Sequence, residues 1–368
     1  MRQVHGVRQQ SVSFDLTDIR TLHDGVLSVC FAAQNSHTAT QPGSPQTLDT
    51  ATFVRIYLII AGVAVGSALL EGVVLSFTGR RDYDWKGSMI SLAIAVGRRI
   101  ADFVPALLAL PGAAWLYEHR LFSWDMKEPL SWIVLFFALE FAYYWFHRVS
   151  HRSRWFWANH SVHHSPNQFN LSAAYRLGWV GKITLTLVFF TPLAWLGFAP
   201  QIILLAFAIN LLYQFWIHAE WIPRLGFLEG IINTPSAHRV HHAANVEYLD
   251  ANYGGVLVIF DRMFGTYIAE RDDIKIRYGW VQPITSNNPL RIVFQQWINI
   301  FDDLRKAKSA RDVIGYLFAA PGWRPDGKGP TTENLRLALT PGALHVVSAA
   351  EPVEVGPSVT PHAAVPSP

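Results

Sequence analysis

The chain has 368 residues, of which 51% are hydrophobic and 15% are charged, whereas about 25% are charged in a typical soluble domain. This deficit of charge, with 14 tryptophans, favours a membrane protein, and the net charge of +3 does not suggest nucleic acid binding. The single cysteine, Cys30, excludes an intrachain disulfide framework and any cysteine-rich zinc or iron–sulfur site. Any bound metal is therefore held by nitrogen and oxygen.

Composition divides the chain into three regions. Residues 1–50 are polar and irregular, so we expect a disordered N-terminal extension. Residues 51–321 carry the apolar segments and the histidine motifs, and we expect one membrane domain there. Residues 322–368 are rich in proline, glycine, threonine and alanine, which predicts a disordered tail.

Apolar runs in residues 51–321 predict an all-α integral membrane bundle of four to five spans. The predicted spans are 52–77, 100–118, 129–147, 181–198 and 200–217. Residues 88–99 are apolar but end in two arginines, which places them at the membrane interface. The last two spans resemble a hairpin that enters the membrane and returns, so the histidine motifs emerge on one side. Arg148, Arg152 and Arg154 make that side cytoplasmic by the positive-inside rule.

The remaining segments are more polar. Residues 219–290 are mixed and contain a short β-like run at 255–260. Residues 299–318 predict an amphipathic helix at the protein surface.

Nine of the 15 histidines lie between positions 147 and 242. Eight of them form three motifs, one H-x3-H and two H-x-x-H-H, and neutral imidazole is the commonest protein ligand of transition metals. One metal needs only three or four ligands, so this number suits two metals close together. The motif histidines are His147, His151, His160, His163, His164, His238, His241 and His242.

Helical spacing brings the members of each motif together. His147 and His151 are four residues apart and share a face of a helix. In each H-x-x-H-H motif the first histidine lies three residues from the second and four from the third, so all three can converge on one site. Each motif histidine either binds metal or orients one that does.

Four further polar side chains lie on apolar segments, and the first of them, Glu140, shares the helical face of the first motif. Its carboxylate either binds metal, orients a histidine ligand, or pairs with an arginine such as Arg99. Asn210, Gln214 and His218 form a stripe at four-residue spacing. We treat His218 as a candidate ninth ligand, with a hydrogen-bonding or packing role as the alternative.

The order of these motifs resembles the fatty acid hydroxylase and sterol desaturase superfamily of membrane di-iron enzymes. The stretches 143–148, 170–172, 210–218, 225–229, 233–236, 238–242 and 250–266 are similar to the alkylglycerol monooxygenase branch. The resemblance covers roughly residues 130–270. It implies that the eight motif histidines hold two irons at the cytosolic face. It also implies activation of O₂ and oxidation of an unactivated C–H bond in a lipid.

We therefore expect a di-iron hydroxylase that acts on a lipid or a sterol. A desaturase with the same site is the alternative within this chemistry, and a two-zinc membrane hydrolase or a metal-binding membrane protein without activity belongs to another class. No cytochrome or flavin domain is recognisable, so we expect electrons from a separate protein or a small reductant.

Overall fold

The computed structural model describes residues 50–79, 82–101 and 106–339. Within these residues the chain forms α-helices, short 3-10 helices and isolated β-bridges, with no strand. The predicted all-α class is therefore confirmed for this part of the chain. The helices are α1 (Thr50–Phe77), α2 (Trp85–Ala101), α3 (Ala106–Glu118), α4 (Pro129–Arg152), α5 (Arg154–His160), α6 (Thr191–Trp195), α7 (Pro200–Trp216), α8 (Pro235–His241), α9 (Ile259–Met263), α10 (Pro289–Leu304), α11 (Ala310–Phe318) and α12 (Thr332–Leu339).

Two helices in the described residues are long and apolar enough to cross a membrane, namely Leu58–Phe77 within α1 and Pro129–Arg152, which is α4. Shorter apolar helical segments lie at Thr186–Trp195 and Pro200–Trp216. The chain divides into two compact units, Met1–Gly66 and Ser67–Pro368, and all the motif histidines belong to the second unit.

Helix α4 organises the second unit because one of its faces is buried along its whole length. Pro129 starts the helix, and an extended Ser153 ends it. Leu135, Leu139 and Tyr143 recur every four residues and pack into a hydrophobic core with residues of α6 and α7. The same four-residue repeat continues into the first histidine motif, so packing of the apolar turns fixes where the imidazoles lie.

The segment 181–198 is not one helix. It forms turns, a 3-10 helix at Thr186–Phe190 and the short α6. Leu185 has a positive φ of 65°, which interrupts helical geometry, and Gly197 turns the chain at a φ of 108° towards the Phe122 carbonyl. Pro200 then starts α7, which has 17 residues.

The β-like run predicted at 255–260 is wrong as a strand. The amides of Val256 and Leu257 donate to the Glu140 carboxylate, at 2.9 and 2.7 Å, and so are not free for a strand partner. Leu257 makes only an isolated bridge to Ile232, and α9 follows.

The structure also differs from two predictions near the end of the described residues. The amphipathic segment predicted at 299–318 is split between α10 and α11, because the Ser309 side chain accepts from the Asp312 amide and starts a new helix. Residues 332–339 of the predicted tail form α12. The rest of that tail, and the extension up to residue 49, lie outside the described residues.

Asp261 offers a test of the loop that follows α8, because its buried carboxylate accepts from the amides of Tyr253 and Gly254 and from the Thr266 hydroxyl. Asp261→Ala should lower the free energy of unfolding by about 3 kcal/mol, since two buried amides lose their acceptor. Thermal unfolding in detergent measures the loss. The control is Asp272→Ala, whose side chain is 92% exposed, and equal stability of the two variants would contradict the assignment.

Candidate metal centre

Four structural elements bring nine histidines into one buried region. The end of α4 carries His147 and His151, and α5 with its following turn carries the second motif. His218 lies in the turn that follows α7, and α8 with its C-cap carries the third motif. All nine are buried except His160, which is partly buried.

The nine imidazoles divide into two clusters, and in each cluster the potential ligand nitrogens lie within 4.8 Å of one another. The five-histidine cluster contains His147, His151, His160, His164 and His241. The four-histidine cluster contains His163, His218, His238 and His242.

The two H-x-x-H-H motifs do not converge as the sequence suggested. In each motif the first and third histidines, four residues apart, share a cluster, while the middle one joins the other cluster. Residues four apart lie about 40° apart around a helix, whereas the middle residue lies on the other flank. Both motifs therefore contribute to both clusters.

The two clusters are also in direct contact through stacked imidazole rings. His164 and His242 stack at a centroid distance of 4.3 Å, and His238 and His241 are parallel at 5.4 Å. The His163 and His164 rings, which also belong to different clusters, lie 5.6 Å apart. Ions held in the two clusters would therefore be close neighbours.

Backbone carbonyls fix the orientation of three imidazoles. Nδ1 of His147 donates to the Tyr253 carbonyl at 2.9 Å, and Nδ1 of His241 donates to the Ala251 carbonyl at 2.9 Å. Nδ1 of His218 donates to the Gln214 carbonyl at 2.8 Å. In a neutral ring this leaves the Nε2 lone pair free and directed into the cluster, which is how metal-binding histidines are usually arranged.

The contacts between the rings fit bound cations. Nε2 of His160 lies 3.0 Å from Nε2 of His147 and 3.2 Å from Nε2 of His164. Nε2 of His218 lies 3.1 Å from Nε2 of His238 and 3.3 Å from Nε2 of His163. One proton on each neutral ring cannot satisfy all these contacts, whereas nitrogen ligands at about 2.1 Å from an ion lie about 3 Å apart.

Unpaired nitrogens point to the same conclusion. Among the described residues, buried ring nitrogens without a hydrogen-bond partner are found on five of the nine histidines. A buried nitrogen without a partner costs about 1–3 kcal/mol unless something occupies it, and coordination of a metal would do so. Three of these atoms, His151 Nε2, His241 Nε2 and His242 Nε2, are available to an ion in their cluster, whereas His163 and His238 face their cluster through Nε2 and leave Nδ1 without a partner.

Burial also keeps the rings in the form that binds metal. It lowers the pKa of His163 to about 4 and the pKa of His241 to about 3. Both imidazoles are therefore neutral at neutral pH, and a neutral imidazole has the lone pair that a metal requires.

Glu140 lies outside both clusters. Its carboxylate accepts from the amides of Val256 and Leu257 and from the Asn210 side chain. The Asn210 carbonyl oxygen accepts from Gln214 at 2.6 Å, and Gln214 in turn accepts from the Tyr143 hydroxyl at 2.8 Å.

This network connects α4, α7 and the loop at 253–257, and the backbone carbonyl of Gln214 holds His218. Of the three roles that the sequence left open for Glu140, these contacts are nearest to the orientation of a histidine ligand, here through the scaffold and not by direct contact.

Residues that the sequence did not single out complete the surroundings of the clusters. The Tyr253 ring lies 5.3 Å from the His151 ring, and the Phe169 ring lies 4.9 Å from the His242 ring. Asp250 Oδ1 lies 3.8 Å from His151 Nδ1 and shares its carboxylate with Arg152. Asp250 and Tyr253 lie in the stretch 250–266 that carries the resemblance, but their contacts with the histidines arise only when the loop after α8 folds back on α4. Phe169 comes from the loop after α5.

A cavity of about 670 Å³ opens beside the five-histidine cluster. His151, His164, His241 and Trp157 line it. Its lining also includes polar residues of α10, such as Gln295 and Asn299, and residues around α12. The cavity therefore gives polar molecules a route to this cluster.

The similarity to known proteins lies in the region that carries the histidine motifs. Residues 132–266 match the fatty acid hydroxylase family. The chain is 38% identical over 239 residues to the human (Homo sapiens) alkylglycerol monooxygenase, a match that covers 65% of this chain and 53% of that protein. It is 32% identical over 295 residues to the Danio rerio alkylglycerol monooxygenase, with 79% and 63% covered.

A third relative is the ornithine lipid hydroxylase OlsE of Rhizobium tropici, which is 28% identical over 180 residues, or 48% of this chain and 53% of that protein. The chain thus spans about half to three fifths of the length of these relatives. No solved structure matches it.

The helical fold and the buried histidine clusters identify this chain as a candidate histidine-ligated metalloprotein. The matches then confirm the predicted resemblance: residues 132–266 match the fatty acid hydroxylase family, and the chain is similar to alkylglycerol monooxygenases.

His218 offers a direct test of the four-histidine cluster. His218→Ala should reduce the metal bound per chain by about half, because one cluster loses a quarter of its ligands and the other remains intact. Elemental analysis of the purified protein measures this. The matched control is His119→Ala, because His119 is exposed and belongs to neither cluster. Full metal content in the His218 variant would assign that residue a packing role.

Glu140 variants separate a positioning role from a ligand role. In Glu140→Gln, rotation of the amides of Asn210 and Gln214 can restore the network, with the Tyr143 hydroxyl as acceptor, so we expect full metal content and a small loss of thermal stability. Glu140→Ala leaves two buried amides without an acceptor and should cost about 3 kcal/mol. Loss of metal from the glutamine variant at unchanged stability would instead indicate a carboxylate ligand.

Proposed function

We propose that this chain is a membrane-bound, iron-dependent oxygenase that hydroxylates a C–H bond of a lipid. The observation that carries the proposal is the pair of adjoining clusters of buried neutral imidazoles. All eight motif histidines and His218 are the proposed ligands, five for one ion and four for the other. The names of the similar proteins, which are monooxygenases and lipid hydroxylases, support the reaction class.

Iron suits this set of ligands better than the other candidate metals. Imidazole binds iron well, and neither cluster contains a thiolate or a carboxylate among the described residues. When bound, a pair of irons would supply the activation of O₂ and the oxidation of the C–H bond, and the protein would supply position and surroundings.

The chain's own residues would have two tasks. Carbonyls of Tyr253, Ala251 and Gln214 hold their imidazoles with Nε2 directed inwards. The ring of Phe169 packs against His242 and the ring of Tyr253 packs against His151, so both limit the movement of the imidazoles. Ligands held in place before the metal binds cost less to order at the moment of reaction.

The proposed membrane arrangement rests on the apolar helices. Helix α4 has 24 residues, which corresponds to about 36 Å and is enough to cross a hydrocarbon core of about 30 Å. Its outer face exposes Leu130, Ile133 and Phe137. We propose that α1 and α4 span the bilayer. The helices α3 and α7 and the broken segment 181–198 are shorter than a hydrocarbon core of about 30 Å, and we propose that they enter the membrane beside α4 without each forming a complete span.

The same arrangement places the clusters at the cytoplasmic end of α4, where Arg148, Arg152 and Arg154 lie. Electrons would come from a separate protein or a small reductant, and the polar cavity beside the five-histidine cluster would admit a small reductant. The lipid would approach from the bilayer, on the side of the exposed apolar faces.

The function is tested by oxygen consumption of the full chain in nanodiscs, loaded with iron and supplied with a reductant and a mixed lipid extract. We expect lipid-dependent oxygen uptake, and mass spectrometry should find an added oxygen atom in the product. Loss of a hydrogen pair without added oxygen would assign the chain as a desaturase.

His163→Ala should lower turnover by at least about 100-fold, because a ligand is lost, whereas His119→Ala should match the wild type. Bound zinc with no oxygen uptake, even after reconstitution with iron, would contradict the oxygenase and favour the two-zinc hydrolase or the inactive metal-binding protein.

A further inference from the structure

An exposed apolar surface lies outside the helices that are long enough to span a membrane. It is formed by the loop at 226–231 and by α9 with the residue that follows it. Phe227 is 83% exposed and Met263 is 66% exposed. We call this surface the apolar lip, and its members are Phe227, Ile231, Ile259, Met263 and Phe264.

The two segments of the apolar lip form one folded unit. The Val258 amide donates to the Ile231 carbonyl at 3.2 Å, and Arg262 Nη1 donates to the Gly230 carbonyl at 3.1 Å. The exposed side chains are therefore held in place by the backbone around them. Exposure of five large apolar residues on an ordered surface indicates an interaction site.

We infer that the apolar lip is inserted into the lipid bilayer, an inference that rests on the proposed membrane-bound function. The first argument is continuity with α4. Phe260, next to Ile259, contacts Phe141 at 5.4 Å, and Phe264 contacts Trp145 at 5.3 Å. Phe141 is itself 45% exposed, so the lip extends the outward apolar face of α4 without interruption.

The second argument is height along α4. Helix α4 starts at Pro129, directly after the polar residues Lys127 and Glu128. Phe141 and Trp145 lie about 18 and 24 Å further along the helix axis, within a hydrocarbon core of about 30 Å. The lip therefore meets α4 in the half of the bilayer nearest the histidines.

The third argument is the distribution of charge. Both acidic residues of the lip segments are turned inwards: Glu229 accepts from the Leu225 amide and the Thr234 hydroxyl, and Asp261 is fully buried. The exposed charge in these segments is the cation Arg262. Apolar side chains beside an exposed arginine fit a lipid surface, where the cation reaches phosphate groups.

The lip is also connected to the metal centre. Phe264 stacks on Tyr144 at 5.3 Å, and Tyr144 contacts Tyr253 at 6.0 Å. The Tyr253 carbonyl in turn accepts from His147. Insertion of the lip therefore sets the height of the five-histidine cluster above the bilayer and marks the side from which a lipid approaches.

The test uses single cysteines in a Cys30→Ser background of the full chain. Met263→Cys and Phe227→Cys are labelled with a fluorophore and placed in nanodiscs that contain brominated phosphatidylcholine. Both positions should lose at least about half of their fluorescence relative to non-brominated lipid, because the label lies among acyl chains. Leu337→Cys is the control, since Leu337 is 59% exposed on α12, near the polar cavity.

Quenching at 227 and 263 no greater than at 337 would overturn the inference. Cross-linking of Met263→Cys to a second chain, without quenching, would do the same and would assign the lip to contact between copies. The readout does not depend on turnover, so an inactive protein with quenched labels would contradict the proposed function alone.

Discussion

Nine imidazoles occupy one buried region, and they can do so only while they are uncharged. Two imidazolium ions a few ångströms apart in a medium of low polarity would repel each other strongly. Burial prevents this because it favours the neutral ring. Neutral rings cannot, however, satisfy one another, since each has one proton and many contacts join nitrogen to nitrogen. Cations between the rings would satisfy these nitrogens.

The rest of the second unit serves to hold the rings in this position. Three of them donate to backbone carbonyls that belong to the loop at 251–253 and to α7. Two buried carboxylates fix those carbonyls in turn: Asp261 binds the amides of Tyr253 and Gly254, and Glu140 binds the amides further along the loop. Each such bond contributes about 1 kcal/mol net, but an unmade one costs more. Loss of either carboxylate should therefore also change the positions of the histidines.

Much of this could be predicted from the sequence, because helical spacing is a local property. The repeat of α4, the stripe of Asn210, Gln214 and His218, and the pairing of histidines four residues apart all follow from helix geometry. Which histidines of different motifs share a cluster could not be predicted, because His241 meets His147 and His151 only in the tertiary structure. The strand expected at 255–260 failed for a related reason, since a carboxylate distant in sequence takes its amides.

The measurement that tests the central claim most directly is anomalous diffraction at the iron absorption edge from crystals of the iron-loaded full chain. The account predicts one anomalous peak inside the five-histidine cluster and one inside the four-histidine cluster. A single shared peak, or peaks that lie away from the imidazole nitrogens, would contradict it.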